Sequence, residues 1–180
     1  MANYALLTAI GKDRPGIVAA ITRVLLDSDC NIEDSQMTRL GPDFVCMLVL
    51  KMPEGMVSEK LEQRLQPVAA DMSLRLYLQD LRPEEASETR SQQPKHLIHV
   101  YGADRKGIVY RISEHLAGRS VNITNLHTEV IHHQNPLYVM MIEVELPPFV
   151  DAGRLQAELA AIGKEIEVVV AMKPKDDARF

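Results

Sequence analysis

Tryptophan is absent from the chain, and aromatic residues make up only 4% of its 180 residues. A platform for stacking bases or sugars would have to come from five Tyr, three Phe and the histidines, which argues against single-stranded nucleic acid as a direct ligand. An excess of basic residues is missing too. The formal net charge is -5, divided as about -4 up to Arg90 and about -1 beyond it, so averaging hides no basic half. Duplex binding rests on Lys and Arg neutralising phosphates, so any DNA would have to be held by another protein. Cysteine is scarce: Cys30 and Cys46 have no C-x-x-C spacing and are too few for a disulfide framework. The longest apolar stretches, such as Phe44 to Leu50, are strand-sized and fall far short of the roughly 20 residues that cross a bilayer. The start, Met1-Ala2-Asn3-Tyr4, lacks the basic opening of a signal peptide. A protein of the reducing cytoplasm with no membrane contact is expected.

Catalytic signatures are also lacking. There is no Gly-x-Ser-x-Gly, P-loop or His-Glu-x-x-His sequence, and neither cysteine has a histidine close in sequence. Nothing calls for an enzyme or a cofactor. His127, His132 and His133 lie near Glu129, which raises a metal site as a possibility. Along a strand, however, His127 and Glu129 share one face while His132 turns to the other, so the ligands do not converge. Polar strand and turn surface accounts for them better.

What is present is an ordinary globular composition, 46% hydrophobic and 25% charged, enough for one or two small domains. A shift of 91 residues lays Gly11-Lys12-Asp13-Arg14-Pro15-Gly16-Ile17-Val18 over Gly102-Ala103-Asp104-Arg105-Lys106-Gly107-Ile108-Val109. The match continues through Ile21 with Ile112, Leu25 with Leu116, and Asn31-Ile32 with Asn122-Ile123. The chain is an internal duplication. Further on the register lengthens by about three residues, an insertion that a hairpin turn tolerates. Residues 82–95 hold one Ala and no larger apolar side chain, and so read as a linker between domains at 1–81 and 96–173. The end from Lys173 onward is expected to fray.

Each copy reads strand, helix, strand, strand, helix, strand. In the first, Tyr4 to Ile10 is a short apolar run closed by Gly11. Ile17, Val18, Ile21, Val24 and Leu25 form a stripe at helical spacing, with Asp13 as the expected N-cap and Pro15 in the first turn. An extended segment runs from Asn31 to about Leu40, Gly41-Pro42-Asp43 turns the chain, and Phe44 to Met52 is an apolar strand. Val57, Leu61, Leu65 and Val68 mark a second helix, which Pro67 should shorten or kink near Gln66. Leu74, Leu76 and Leu78 alternate with polar residues in a last strand. The second copy follows the same order, with strands at 96–101, 122–132, 137–146 and 165–172 and helices to Gly118 and over 151–162. A βαββαβ unit packs two helices on one face of an antiparallel sheet, so the fold class is α+β with two ferredoxin-like sandwiches. Edge strands of two such small sheets are a liability unless they pair, so the two antiparallel sheets are expected to pack side by side.

A βαββαβ unit whose first strand runs into Gly-x-Asp-Arg-Pro-Gly-Ile-Val, with Asn-Ile opening the second strand, resembles the ACT domain, a small-molecule-binding module of amino-acid-regulated proteins. The resemblance covers both copies. It implies a non-enzymatic regulator that binds glycine or a similar amino acid and acts as a transcriptional repressor through a DNA-bound activator protein. Control of an amino-acid or one-carbon enzyme by the same module is the alternative, and self-association is compatible with either. One departure stands out: Lys106 replaces the Pro15 of the first copy.

The residues themselves suggest where a ligand would sit. Glycines let backbone approach a ligand, and the amides of a helix N-terminus favour a carboxylate. Acidic or amide side chains accept from an ammonium. Gly11, Asp13, Arg14, Gly16 and Asn31 are the first candidates, and Gly102, Asp104, Arg105, Gly107 and Asn122 the second. Each also has a purely structural reading: the aspartates as helix caps, the glycines as turn residues, the asparagines as strand openers and the arginines as solvated surface.

Overall fold

The computed structural model describes residues 3–87, 93–132 and 136–175, so His133 of the histidine group lies outside the described residues. The chain divides into two compact units, residues 1–90 and 91–180. The first contains β1 (Asn3–Lys12), α1 (Ile17–Asp27), β2 (Asn31–Leu40), β3 (Asp43–Met52), α2 (Ser58–Met72), β4 (Leu74–Leu81) and α3 (Pro83–Ser87). The second contains β5 (Lys95–Gly102), α4 (Ile108–Gly118), β6 (Asn122–Ile131), β7 (Leu137–Glu145), α5 (Ala152–Glu165) and β8 (Val168–Pro174). The sheets run β2-β3-β1-β4 and β6-β7-β5-β8, antiparallel at every pairing. This is the expected pair of ferredoxin-like sandwiches.

Alternation places one side of each sheet under helices. In β1, Ala5, Leu7 and Ala9 are buried while Tyr4, Leu6, Thr8 and Ile10 face the other way. Ile17, Ile21 and Leu25 of α1 fall four residues apart and pack onto that buried row, together with Leu61 and Leu65 of α2. Ile108, Ile112 and Leu116 of α4, with Leu155 and Leu159 of α5, do the same over Ile98, Val100, Met140 and Ile142. Each such side chain contributes about 1.5–3 kcal/mol of burial. Strand β2 stays outside this cover with every residue exposed, whereas β6 lends Ile123 and Val130 to the second core.

Several local expectations give way to tertiary packing. α2 continues through Pro67 to Met72 because Pro67 points to solvent, where water can satisfy the carbonyl that loses its partner. Leu61, Leu65 and Ala69 meanwhile hold the same helix to the core. Within the stretch read as linker, residues 83–87 instead form the short helix α3, where Glu85 accepts from the Arg82 backbone N–H at 2.8 Å and Ala86 is buried. β8 runs to Pro174 rather than fraying from Lys173, and α5 extends to Glu165, so the last strand starts later than expected. Among the described residues, four that are not glycine adopt the left-handed region just past helix ends: Asp29, Ser73, Ser120 and Glu167. At two of these ends the next amide reaches back, from Cys30 to the Leu25 carbonyl at 2.9 Å and from Val121 to the Leu116 carbonyl at 3.0 Å, closing the last turn.

The helix pairs are tied by different chemistry in the two units. Arg64 on α2 donates to the Ser28 hydroxyl at 3.1 Å and the Asp27 carbonyl at 3.4 Å at the end of α1. On α5 the equivalent position is Glu158, which accepts from Arg119, from Arg154 at 3.0 Å and from His115 at 3.0 Å. Burial works against its charge, but these hydrogen bonds and guanidinium charges prevail and hold its carboxyl below the ordinary range.

The ends of the second unit meet at Glu143 on β7, which accepts from Lys175 at 2.5 Å and pairs with Lys95 at 3.4 Å. The Lys175 hydrogen bond is the largest influence and lowers its pKa; burial opposes this, and Lys95 adds to the lowering. A carboxyl lowered in the folded state gives stability that is complete above its unfolded value, near 4.3, and disappears as pH falls through the folded value. Protection of the β5 and β7 amides, taken as exchange relative to the unstructured-chain rate at each pH, should therefore fall more steeply below about pH 5 in the native protein than in Glu143→Gln; parallel curves would show that the cluster stores no such stability.

Candidate functional site

The loop between β1 and α1 is built from Asp13, Arg14, Pro15 and Gly16. Gly16 is the N-cap of α1, in the left-handed region with φ 98°, and Gly107 does the same for α4 with φ 92°. Neither helix start has a side-chain cap hydrogen bond. Asp13 and Asp104 are therefore not the caps expected of them, and Pro15 precedes the helix instead of opening its first turn. By contrast, the start of α5 is capped by Asp151, which accepts from the Arg154 N–H at 2.7 Å. Amides at an uncapped N-terminus, together with the helix dipole, present a partial positive charge to whatever enters the loop.

Gly11 and Gly102 are needed for packing. A Cβ on Gly11 would come within 2.8 Å of Leu74 Cδ2 and 2.9 Å of the Ser73 carbonyl oxygen; one on Gly102 would lie 3.0 Å from Val168 Cγ1 and 3.1 Å from the Glu167 carbonyl oxygen. The space that a side chain would take is filled by the turn into the unit's own last strand, while Gly11 also lines a groove on the helix-free side of the sheet.

The arginines hold the loops to that same turn. Arg14 donates to the Asp71 carbonyl at 2.5 Å, contacts Met72 Sδ at 2.8 Å and lies 3.6 Å from the Asp71 carboxylate. Arg105 forms its ion pair with Glu167. Both side chains remain about half exposed, at 45% and 48%, so their outer N–H groups can still be reached. Asp13 is linked through its backbone N–H to the Pro42 carbonyl at 2.9 Å and through its carboxylate to Arg39 at 3.6 Å. Asp104 acts on Tyr138, whose phenol pKa is raised by burial first and by this carboxylate second.

Asn31 and Asn122 stand elsewhere. Asn31 pairs with Lys51, which pairs with Tyr4 at the start of β1, seven residues from Gly11 or roughly 24 Å along the strand. Asn122 pairs with Glu145, which pairs with Lys95 at the start of β5. Within each unit the structure gathers the Gly-x-Asp-Arg-x-Gly loop and leaves the asparagine at the other end of the sheet. Arg39, Asp71 and Glu167, which reach the loop through space, were not among the sequence candidates. Only the pairing of β2 with β3, and of the last strand with the first, could have indicated them.

Beside the first loop, on the helix-free side of the sheet, lies a groove of about 620 Å³ lined in part by Ile10, Lys12, Thr38, Leu40, Val45 and Arg75. Lys12 is paired with Asp43 at 2.8 Å. Among the described residues no group of three His, Cys, Asp or Glu could hold a metal ion, and no helix is long and apolar enough to cross a membrane.

The ACT-domain family model matches residues 3–79 and 96–173. The glycine cleavage system transcriptional repressor of Escherichia coli (strain K12) is 26% identical over 168 residues, covering 91% of this chain and 86% of that protein. A solved structure of an unknown protein from Galdieria sulphuraria superposes with a TM-score of 0.82 at 22% identity, over 97% of this chain and 99% of that one. A solved candidate glycine cleavage system transcriptional repressor superposes with a TM-score of 0.68 at 19% identity, over 97% and 98%. These two likenesses show the fold.

Filling the Gly11 contact should disturb the whole loop, because the atoms in the way include backbone. Gly11→Ala is expected to destabilise the first unit by about 1–3 kcal/mol, read from denaturant unfolding, and unchanged stability would mean that the turn at Ser73 yields freely.

Proposed function

The chain belongs to the ACT-domain family in both of its units, and from that premise we propose that it is a non-enzymatic regulator that binds a small amino acid, glycine foremost, and represses transcription by restraining a DNA-bound activator. The observation that carries the reading is the alignment with the Escherichia coli repressor, which runs through both units rather than one. The composition agrees: a net charge of -5 with no basic half suits a protein that meets another protein and leaves DNA to it.

The loops supply the chemistry for an amino acid. The free amides at the start of α1 and α4 and the reachable edges of Arg14 and Arg105 suit its carboxylate. Asp13 and Asp104 suit its ammonium. Gly16 and Gly107 allow the backbone turn that points these amides outward. Engagement of Arg14 by a ligand would compete with its hold on Asp71 and Met72, giving the loop two states that differ in ligand affinity, which is what coupling to a partner requires.

Calorimetric titration of the full chain with glycine, then serine and the other amino acids, tests the reading. Saturable binding is expected, weakened about tenfold or more in Asp13→Ala or Asp104→Ala, according to which loop holds the ligand. Heat from none of the amino acids, or a mobility shift of operator DNA by the protein alone, would overturn it.

A further inference from the structure

Both loops carry the same arginine, but it is spent on different partners. Ser73 and Glu167 hold the same place in their units: the carbonyl oxygen of each lies against the glycine that ends the first strand, and each residue is in the left-handed region, with φ 53° and 57°. The first unit therefore puts a hydroxyl where the second puts a carboxylate. Arg14 rests on neutral groups, the Asp71 carbonyl at 2.5 Å and Met72 Sδ at 2.8 Å, with the exposed Asp71 carboxylate 3.6 Å away. Arg105 donates directly to the Glu167 carboxylate.

The charges around the second loop fix that choice. Glu165, the counterpart of Asp71, is drawn to Arg111 on α4 at 2.7 Å, whereas the first unit has Ala20 at the position of Arg111. Glu167 is thus the carboxylate left for Arg105. Asp104, the loop's own acid, acts on Tyr138. Glu129 stands on β6, at the edge of the sheet far from β8. Lys106 is exposed and enters no ion pair among the described residues. It adds a solvated point charge and not the two-pronged grip of a guanidinium.

We infer that the first loop alone holds the amino acid, and that Glu167 fills the second as a built-in carboxylate, taking at Arg105 the part that the ligand's carboxylate takes at Arg14. The inference rests on amino-acid binding at these loops, as proposed above. A hydrogen bond between two charged groups is roughly twice as strong as one between neutral groups. Releasing Arg105 from Glu167 is therefore costlier than releasing Arg14 from a carbonyl and a thioether. An incoming carboxylate would also have to share the Arg105 guanidinium with a charge of its own sign, a repulsion that works against binding there. Residue 167 thereby decides whether the chain has one working site or two.

The test is a titration of the full chain with glycine and, separately, serine, followed by calorimetry and by the backbone amide NMR resonances of Gly16 and Gly107. The native chain should bind about one amino acid, and only the Gly16 resonance should move. Glu167→Ser, which copies the first unit, should open the second loop, so that the count rises to about two and the Gly107 resonance moves as well. The Glu167 side chain is 65% exposed, so this variant is expected to fold. Ser73→Glu, the reverse exchange, should weaken binding at the first loop about tenfold or more. Two sites in the native chain, an unchanged count in Glu167→Ser, binding that appears only in that variant, or full affinity in Ser73→Glu would each overturn the inference and leave amino-acid binding standing. Neither amino acid bound by the native chain or by Glu167→Ser would overturn amino-acid binding at the loops, and this inference with it.

Discussion

The backbone that ends the first strand of each unit lies against the turn that starts its last strand, with room for a hydrogen atom and little more. That contact brings a loop from early in the unit to a turn about sixty residues later, and everything around the loop depends on it. Arg14 can reach Asp71 and Met72, and Arg105 can reach Glu167, only because Gly11 and Gly102 let the two segments close. With the arginines so placed and glycine at the cap, the helix that follows starts with its amides unspent.

Much of this was legible in the sequence, because the signals were local and repeated. The duplication, the apolar stripes of α1 and α4, and the alternation in β1 and β4 each follow from a period of 3.6 or 2. The asparagines show what local reasoning does not see within a unit. A helix that packs back across a sheet carries the chain to the end at which the strand began, so the residue opening β2 is far from the loop that closes β1. The cap at Gly16 was obscured for a related reason: Asp13 has the right chemistry for a cap but is engaged by Arg39, a residue 26 positions away across a hairpin. Pro67 reads as a helix breaker until it is known which side of α2 meets solvent.

The two units use the same scaffold for different chemistry. In the first, the loop is joined by a largely apolar groove on the helix-free side, and the rigid Pro15 precedes the cap. In the second, Lys106 replaces that proline, and the helix-free side carries His99, Tyr101 and Lys173 where the first unit has other residues. Duplication preserves the core positions, where any change of volume is felt, and frees the loops and the open sheet face to diverge.

The charge reversal at equivalent positions 64 and 158 bears on how such a chain reaches its native state. Tandem copies of similar sequence are prone to exchange elements while folding, since a helix from one copy fits the sheet of the other. Here an exchanged α2 would bring the Arg64 guanidinium against Arg119 with no Glu158 to receive them, and an exchanged α5 would offer a carboxylate to the carbonyl end of α1. Both mismatches are repulsive, so the opposite signs act as an address that directs each helix to its own sheet.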